Sequence, residues 1–194
     1  MKFFIATKNQ HKIDEFSAIF ESLNIELISE RDLENPLPDI EEDGTTFEEN
    51  SLIKARFATE ITGLPTLADD SGLCVDALGG EPGIYSARYA GEHGDNAANN
   101  AKLLEKMKNE TNRDAEFICA IACVFPDGRE FTVKGICKGK IDTCLRGNGG
   151  FGYDPLFISD ELGSFGLISA EEKNRVSHRA NAVKKFKEEI IKYI

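Results

Sequence analysis

Apolar and polar positions alternate along the chain in blocks whose period shifts between two and three to four. Residues 2–6 form a short apolar run ahead of a polar turn at 7–10, which predicts a buried strand. Ile13, Phe16, Phe20 and Leu23 then recur at helical spacing on one face. Residues 25–29 predict a second short strand. Residues 35–44, with Pro36, Pro38 and several acids, predict a loop. Thr45 and Thr46 stand three residues ahead of Glu48 and Glu49, giving two overlapping capping boxes. They open a helix that runs to Gly63, its C-cap. Residues 65–68 and 73–76 predict short extended segments on either side of an acidic turn at Asp69-Asp70. Asp95 is placed to cap a helix carrying Leu103, Leu104 and Met107. Residues 117–125 are apolar on both faces, as a central strand is. After the turn signal Pro126-Asp127-Gly128, residues 129–141 alternate, with Phe131, Val133, Gly135 and Cys137 on one side. The two runs predict a long hairpin. A glycine-rich loop at 147–152 precedes a strand at 155–158. Ser177 caps a last helix with Val183, Phe186, Ile190 and Ile194 on its apolar stripe. With no repeat, low-complexity tract or linker, the layout predicts a single α/β domain over residues 1–194, with a mixed sheet and two lobes around a cleft.

Composition narrows the function. The chain has 194 residues, enough for one well-packed domain, and 41% of them are hydrophobic, so a core is expected. No apolar run approaches the roughly 20 residues of a membrane span. The N-terminus lacks the length and cleavage site of a signal peptide, so a cytoplasmic protein is expected. The net charge of −11 argues against nucleic acid and anionic membranes as partners. An acidic chain that binds a polyphosphate must gather its few cations at one place or recruit metal ions. The five cysteines form no C-x-x-C pair. Cys119 and Cys123, read on a strand, stand roughly 13 Å apart, too far to share a zinc, so reduced buried thiols are expected.

Four stretches carry candidate chemistry. Thr7, Lys8, Asn9, Gln10, His11 and Lys12 form a strand-to-helix turn, where backbone N–H groups and the helix dipole favour an anion. It has no G-K-[ST] and is not a Walker loop. The acids Glu41, Glu42 and Asp43 lie in one loop, and Asp69 and Asp70 in the predicted turn. Adjacent like charges call for a counter-charge, and Mg²⁺ takes a few carboxylates with water and phosphate. Residues 147–157 interleave glycines with Phe151 and Tyr153, which suits close approach to a flat base. Ser177, His178 and Arg179, with Lys173 ahead of them, place donors at a helix start.

In order along nearly the whole chain, these stretches resemble one family. Ala6-Thr-x-Asn-x-x-Lys12, Glu41-x-x-Gly-x-x-Phe47-x-Glu-Asn50, Ala68-Asp-Asp-Ser-Gly-Leu73, Ala77-Leu-Gly-Gly-x-Pro-Gly-Ile-Tyr-Ser-Ala-Arg-Tyr89, Gly149-Gly-Phe-Gly-Tyr-Asp-Pro-Leu-Phe157 and Ser177-His-Arg-Ala180 are similar to the inosine triphosphate pyrophosphatases, the Ham1-like noncanonical purine NTP pyrophosphatases. The resemblance implies an elongated mixed β-sheet flanked by helices, two lobes around a central cleft, and a homodimer. It implies Mg²⁺-dependent hydrolysis of ITP, dITP and XTP to the monophosphate and pyrophosphate, which sanitises the nucleotide pool. It assigns Thr7–Lys12 to the triphosphate, and Glu41 and Asp70 to Mg²⁺. Asp70 would also accept the proton of the attacking water, Asp69 would support the metal, and Ser71 and Lys54 would touch substrate. Phe151, Gly152, Tyr153, Asp154, Lys173, His178 and Arg179 would read and stack the purine. One position departs: many relatives have glycine where this chain has Lys8.

Two other readings stand beside this one. The first is a pyrophosphatase for pyrimidine or other modified triphosphates, which a substrate panel separates. The second is a non-catalytic nucleotide-binding module. The acidic set Glu41, Asp69 and Asp70 argues against it, because binding alone needs no base.

Overall fold

A computed structural model describes residues 1–21 and 25–194, without the side chains of His11, Glu15, Ala18, Ile19 and Glu21. The strands are β1 (Lys2–Ile5), β2 (Glu26–Ser29), β3 (Thr66–Val75), β4 (Asp114–Val124), β5 (Glu130–Ile141), β6 (Phe157–Ser159) and β7 (Gly163–Ser164). They form one open mixed sheet in the order β2-β1-β3-β4-β5-β6-β7. β1 pairs in parallel with β2 and β3, and β6 pairs antiparallel with β5 and β7. The helices are α1 (Gln10–Glu21), α2 (Phe47–Thr62), α3 (Asn96–Lys106), α4 (Ala170–Val176) and α5 (His178–Ile190). No helix among the described residues is long and apolar enough to cross a membrane.

The chain divides into two compact units. The first comprises Met1–Asp70, Ala120–Lys134 and Ala182–Ile194, the second Ser71–Cys119 and Gly135–Asn181. Aromatic packing holds the first: Phe3, Phe16, Phe20 and Phe186 are fully buried, with ring centroids 5.4 Å apart for Phe3–Phe20 and 5.8 Å for Phe20–Phe186. The second is built on Leu73, Leu103, Met107, Phe117, Tyr153, Leu156, Phe157 and Phe165, with Phe117 and Phe157 centroids 4.6 Å apart.

Local signals in the sequence decide many of these boundaries. Thr46 caps α2 by accepting the Glu49 N–H, and Gly63 closes it at φ 67° in the left-handed region. Only one of the two overlapping boxes forms the cap, because the Glu49 carboxylate turns instead to the N–H and hydroxyl of Thr45, both at 2.7 Å. Asp95 caps α3 through the Ala98 N–H. The 126–128 turn joins β4 to β5, with Gly128 N–H donating to Phe125 O at 3.0 Å. Burial alternates along β5 as its sequence does, and Cys119 and Cys123 are buried thiols on β4, outside any disulfide among the described residues.

Two expectations are corrected, and one helix is added. Asp69-Asp70 is not a turn: β3 runs unbroken through Thr66–Val75. β3 lies between β1 and β4 in the sheet, and a long strand that β1 anchors at Thr66 and Leu67 carries the turn-prone residues on in extended form. The strand predicted at 155–158 begins instead at Phe157, because Asp154–Leu156 is a 3-10 turn with Pro155 at its start. The segment before Ser177 is a helix of its own, α4, opened by a capping box between Ser169 and Glu172. Leu23, expected on the α1 stripe, lies outside the described residues.

Candidate active site

The first unit gathers its charged residues around the middle of β3. A strand sends successive side chains to opposite faces, so Asp69 and Asp70 do not form one pair of carboxylates. Each meets its own lysine. Lys12, in the first turn of α1, stands 2.6 Å from Asp69 Oδ2. Lys54, two turns into α2, stands 2.7 Å from Glu42 Oε2 and 3.8 Å from Asp70 Oδ1. Asn50, one turn earlier on α2, donates to Asp70 Oδ2 at 3.1 Å and accepts the Gly44 N–H at 2.9 Å. Burial holds the Asp70 carboxyl above the ordinary carboxylate range, and Lys54 and Asn50 pull it back only in part.

The 7–10 turn brings backbone N–H groups to the start of α1. Asn9 N–H donates to Thr7 Oγ1 at 3.2 Å, and Asn9 O accepts from Lys12 and Ile13 N–H at 3.1 and 3.2 Å. Gln10 donates to Asp14 and accepts from Arg31. Lys8 is exposed and reaches Asp39 at 3.1 Å and Glu30 at 3.9 Å. The His11 side chain lies outside the described residues. Glu41 is exposed, whereas its neighbour Glu42 carries the contact to Lys54. No three His, Cys, Asp or Glu side chains among the described residues converge as a metal cage.

The second unit holds a different cluster. The 150–154 loop closes on itself: Asp154 Oδ2 accepts the Phe151 N–H at 2.8 Å and the Lys173 ammonium at 2.5 Å. Asp154 is 1% exposed and Lys173, on α4, 9%. The Lys173 ammonium lies 4.5 Å from the Phe151 ring centroid and 5.4 Å from that of Phe165. The Phe151 ring itself is 50% exposed. Tyr153 faces the core and donates its hydroxyl to Ser86 O at 2.8 Å, so Phe151 is the ring the loop presents. Asn100, on α3, holds the loop by donating to Gly152 O at 2.9 Å. Ser177 Oγ accepts the Ala180 N–H and caps α5, as expected. His178 stacks on Phe117 at 4.8 Å, and the Arg179 guanidinium lies 5.9 Å from the Phe151 centroid. Ser71, half-buried, follows Asp70 on β3.

Asn50, Asn100 and Glu42 make contacts in these clusters that the sequence reading does not assign to them. The available signal for Asn50 was an amide near the start of an otherwise amphipathic helix, where asparagine is a poor helix former unless its side chain is bonded.

A family model described as the Ham1 family matches residues 3–189. The chain belongs to the Ham1 family. A dITP/XTP pyrophosphatase of Geobacter sulfurreducens is 49% identical over 189 residues, which cover 96% of this chain and 94% of that one. The structure of the Staphylococcus aureus Ham1 protein superposes with a TM-score of 0.93 at 41% identity, over 100% of both chains. That of the nucleoside-triphosphatase, dITP/XTP pyrophosphatase, of Mycobacterium abscessus gives 0.84 at 43%, over 96% of this chain and 97% of that one. As a Ham1-family fold, the sheet with its flanking helices carries the two clusters just described.

Proposed function

We propose that this chain hydrolyses noncanonical purine nucleoside triphosphates, ITP, dITP and XTP, to the monophosphate and pyrophosphate, with Mg²⁺. The observation that carries the reading is Asp70, a half-buried carboxylate tied to Asn50 and faced by Lys54. The dITP/XTP pyrophosphatase names of the relatives supply the substrate class.

The residues fit a magnesium ion. Glu42 and Asp70 come from separate segments and both face Lys54, so two carboxylates already share one cation position. Mg²⁺ needs only one or two carboxylates when phosphate and water complete its shell. Glu42 and Asp70, with Glu41 in the same loop, would hold the ion, which when bound would supply neutralisation of phosphate charge. Asp70 is the proton acceptor for the attacking water, since burial raises its affinity for a proton. Lys12 and Lys54 stabilise the pyrophosphate that leaves, and the N–H groups of the 7–10 turn bind phosphate oxygens. Phe151 stacks on the base. His178 and Arg179 donate to the purine 6-oxo group, which adenine replaces with an amino donor. A site built on such a bond discriminates by about 10⁴-fold or more.

The test is pyrophosphate release from ITP, dITP, XTP, ATP, GTP and dTTP, with Mg²⁺ and with EDTA. The reading requires metal-dependent turnover of the first three well above the others. Preferred turnover of dTTP would discard the purine assignment, and no turnover would leave a binding module.

A further inference from the structure

Asn50 is 2% exposed, and both ends of its carboxamide are occupied by groups from other segments. Its Oδ1 takes the backbone N–H of Gly44, and its Nδ2 donates to Asp70 Oδ2. The Gly44 donor fixes which end is oxygen, and the carboxylate of Asp70 requires a donor opposite it. The approach of the two backbones depends on glycine: a Cβ on Gly44 would stand 2.6 Å from Asn50 Oδ1 and 2.8 Å from the Glu49 Cβ. Gly44 ends the acidic loop that carries Glu41 and Glu42, so one buried amide spans the two acidic segments.

We propose that Asn50 is a positioning residue, one carboxamide that holds the acidic loop and Asp70 in a fixed relation. This rests on the hydrolytic reading above. A tether at Oδ2 stops the Asp70 carboxylate from rotating about its Cβ–Cγ bond, so its orientation toward the attacking water is set before substrate arrives. The tether at Gly44 does the same for the loop. Asn50 touches neither substrate nor water in this scheme and acts only through the groups it holds.

Two substitutions approach the amide from opposite sides. Asn50→Asp keeps an acceptor for Gly44 and replaces the donor to Asp70 with a second carboxylate. Gly44→Ala leaves Asn50 in place and pushes its oxygen away. Steady-state pyrophosphate release from dITP with Mg²⁺ gives kcat and KM for each. Misplacement of a catalytic group by about 1 Å costs about 100-fold, so kcat should fall by that order in Asn50→Asp. KM should stay within about threefold, because the ground-state contacts are intact. Gly44→Ala should lower kcat in the same direction, and the double variant should be no worse than the poorer single, because both act on one tether. Hydrogen exchange at the Gly44 N–H is a readout independent of activity: slow in the wild-type chain, it should speed up in Asn50→Ala. Wild-type kcat in Asn50→Asp, multiplying effects in the double variant, or unchanged Gly44 exchange in Asn50→Ala would each overturn the proposal. A wild-type chain that releases no pyrophosphate from any triphosphate fails the hydrolytic reading itself, and the positioning role falls with it.

Discussion

The charged cluster of the first unit and the aromatic cluster of the second are built on opposite plans. In the first, Lys54 meets Glu42 and Asp70 on side chains that keep some contact with water, beside a sealed Asn50 amide and a sealed Asp69 carboxylate. In the second, Lys173 and Asp154 are sealed together, and the loop they hold is bonded through its own backbone to Asp154 and Asn100. A lysine that is partly solvated can exchange one anion for another at low cost. A buried ion pair cannot, because separating it strands a charge. The first plan suits a site whose partners change during a reaction, and the second suits a rigid platform for a flat ligand.

The largest expected effect strikes the first cluster. Asp70→Asn removes the proton acceptor and should lower kcat by about 10³-fold or more. Stability should move the other way. Burial raises the Asp70 proton affinity in the folded chain, so the folded state binds that proton more tightly than the unfolded one. The group therefore favours folding at acid pH, and that contribution is lost as pH rises from the ordinary carboxylate range through the folded value. At neutral pH the variant should melt at or above the wild-type temperature. A parallel loss of activity and melting temperature would mean that Asp70 is structural.

Next in size is Lys173→Ala, which strands the Asp154 carboxylate in the second unit and should cost about 3–5 kcal/mol of folding stability. Chemical denaturation measures it. Lys54→Ala is the control from the other plan: its carboxylate partners keep contact with water, so it should cost less stability than Lys173→Ala and yet depress turnover. Equal destabilisation by the two would erase the contrast between the clusters.

That contrast was only half legible in the sequence, for a physical reason. Gly63, Asp95 and the 126–128 turn act on neighbours a few residues away, so their roles could be read directly. The path of Asp69-Asp70-Ser71-Gly72 could not. Those residues favour a turn locally, and their place in the ten-residue strand β3, between β1 and β4, is a non-local outcome. The same limit hid the partners of the site. Glu41 and Glu42 are indistinguishable by type, and which one faces Lys54 is set by how the loop leaves Gly44. α4 escaped notice because a seven-residue helix shows too few turns for its period to register, although its capping box was present.

A smaller effect probes the platform. Phe151 is half exposed and its ring carries little of the core. Stacking on a base is worth about 1–3 kcal/mol, so Phe151→Ala should raise KM for XTP by about 10- to 100-fold. Its melting temperature should hardly change. A large loss of stability instead would show that the ring serves to cover Lys173, which lies 4.5 Å from its centroid.

The smallest effect concerns Lys8, in the 7–10 turn. Its pair with Asp39 lies in water, with side chains 67% and 95% exposed, and the more enclosed Glu30 stands farther off, at 3.9 Å. Such contacts are screened over about 8–10 Å at physiological salt. A triphosphate entering the 7–10 turn must compete with those carboxylates for the ammonium, so most of its attraction is already spent. Lys8→Gly should therefore change KM for dITP by less than about fivefold and leave kcat alone. Measured against NaCl, the difference between the two proteins should vanish as salt rises. A rise in KM beyond tenfold that persists in high salt would make Lys8 a direct phosphate ligand, and the first cluster would then reach past Lys12 and Lys54 to the outer edge of the turn.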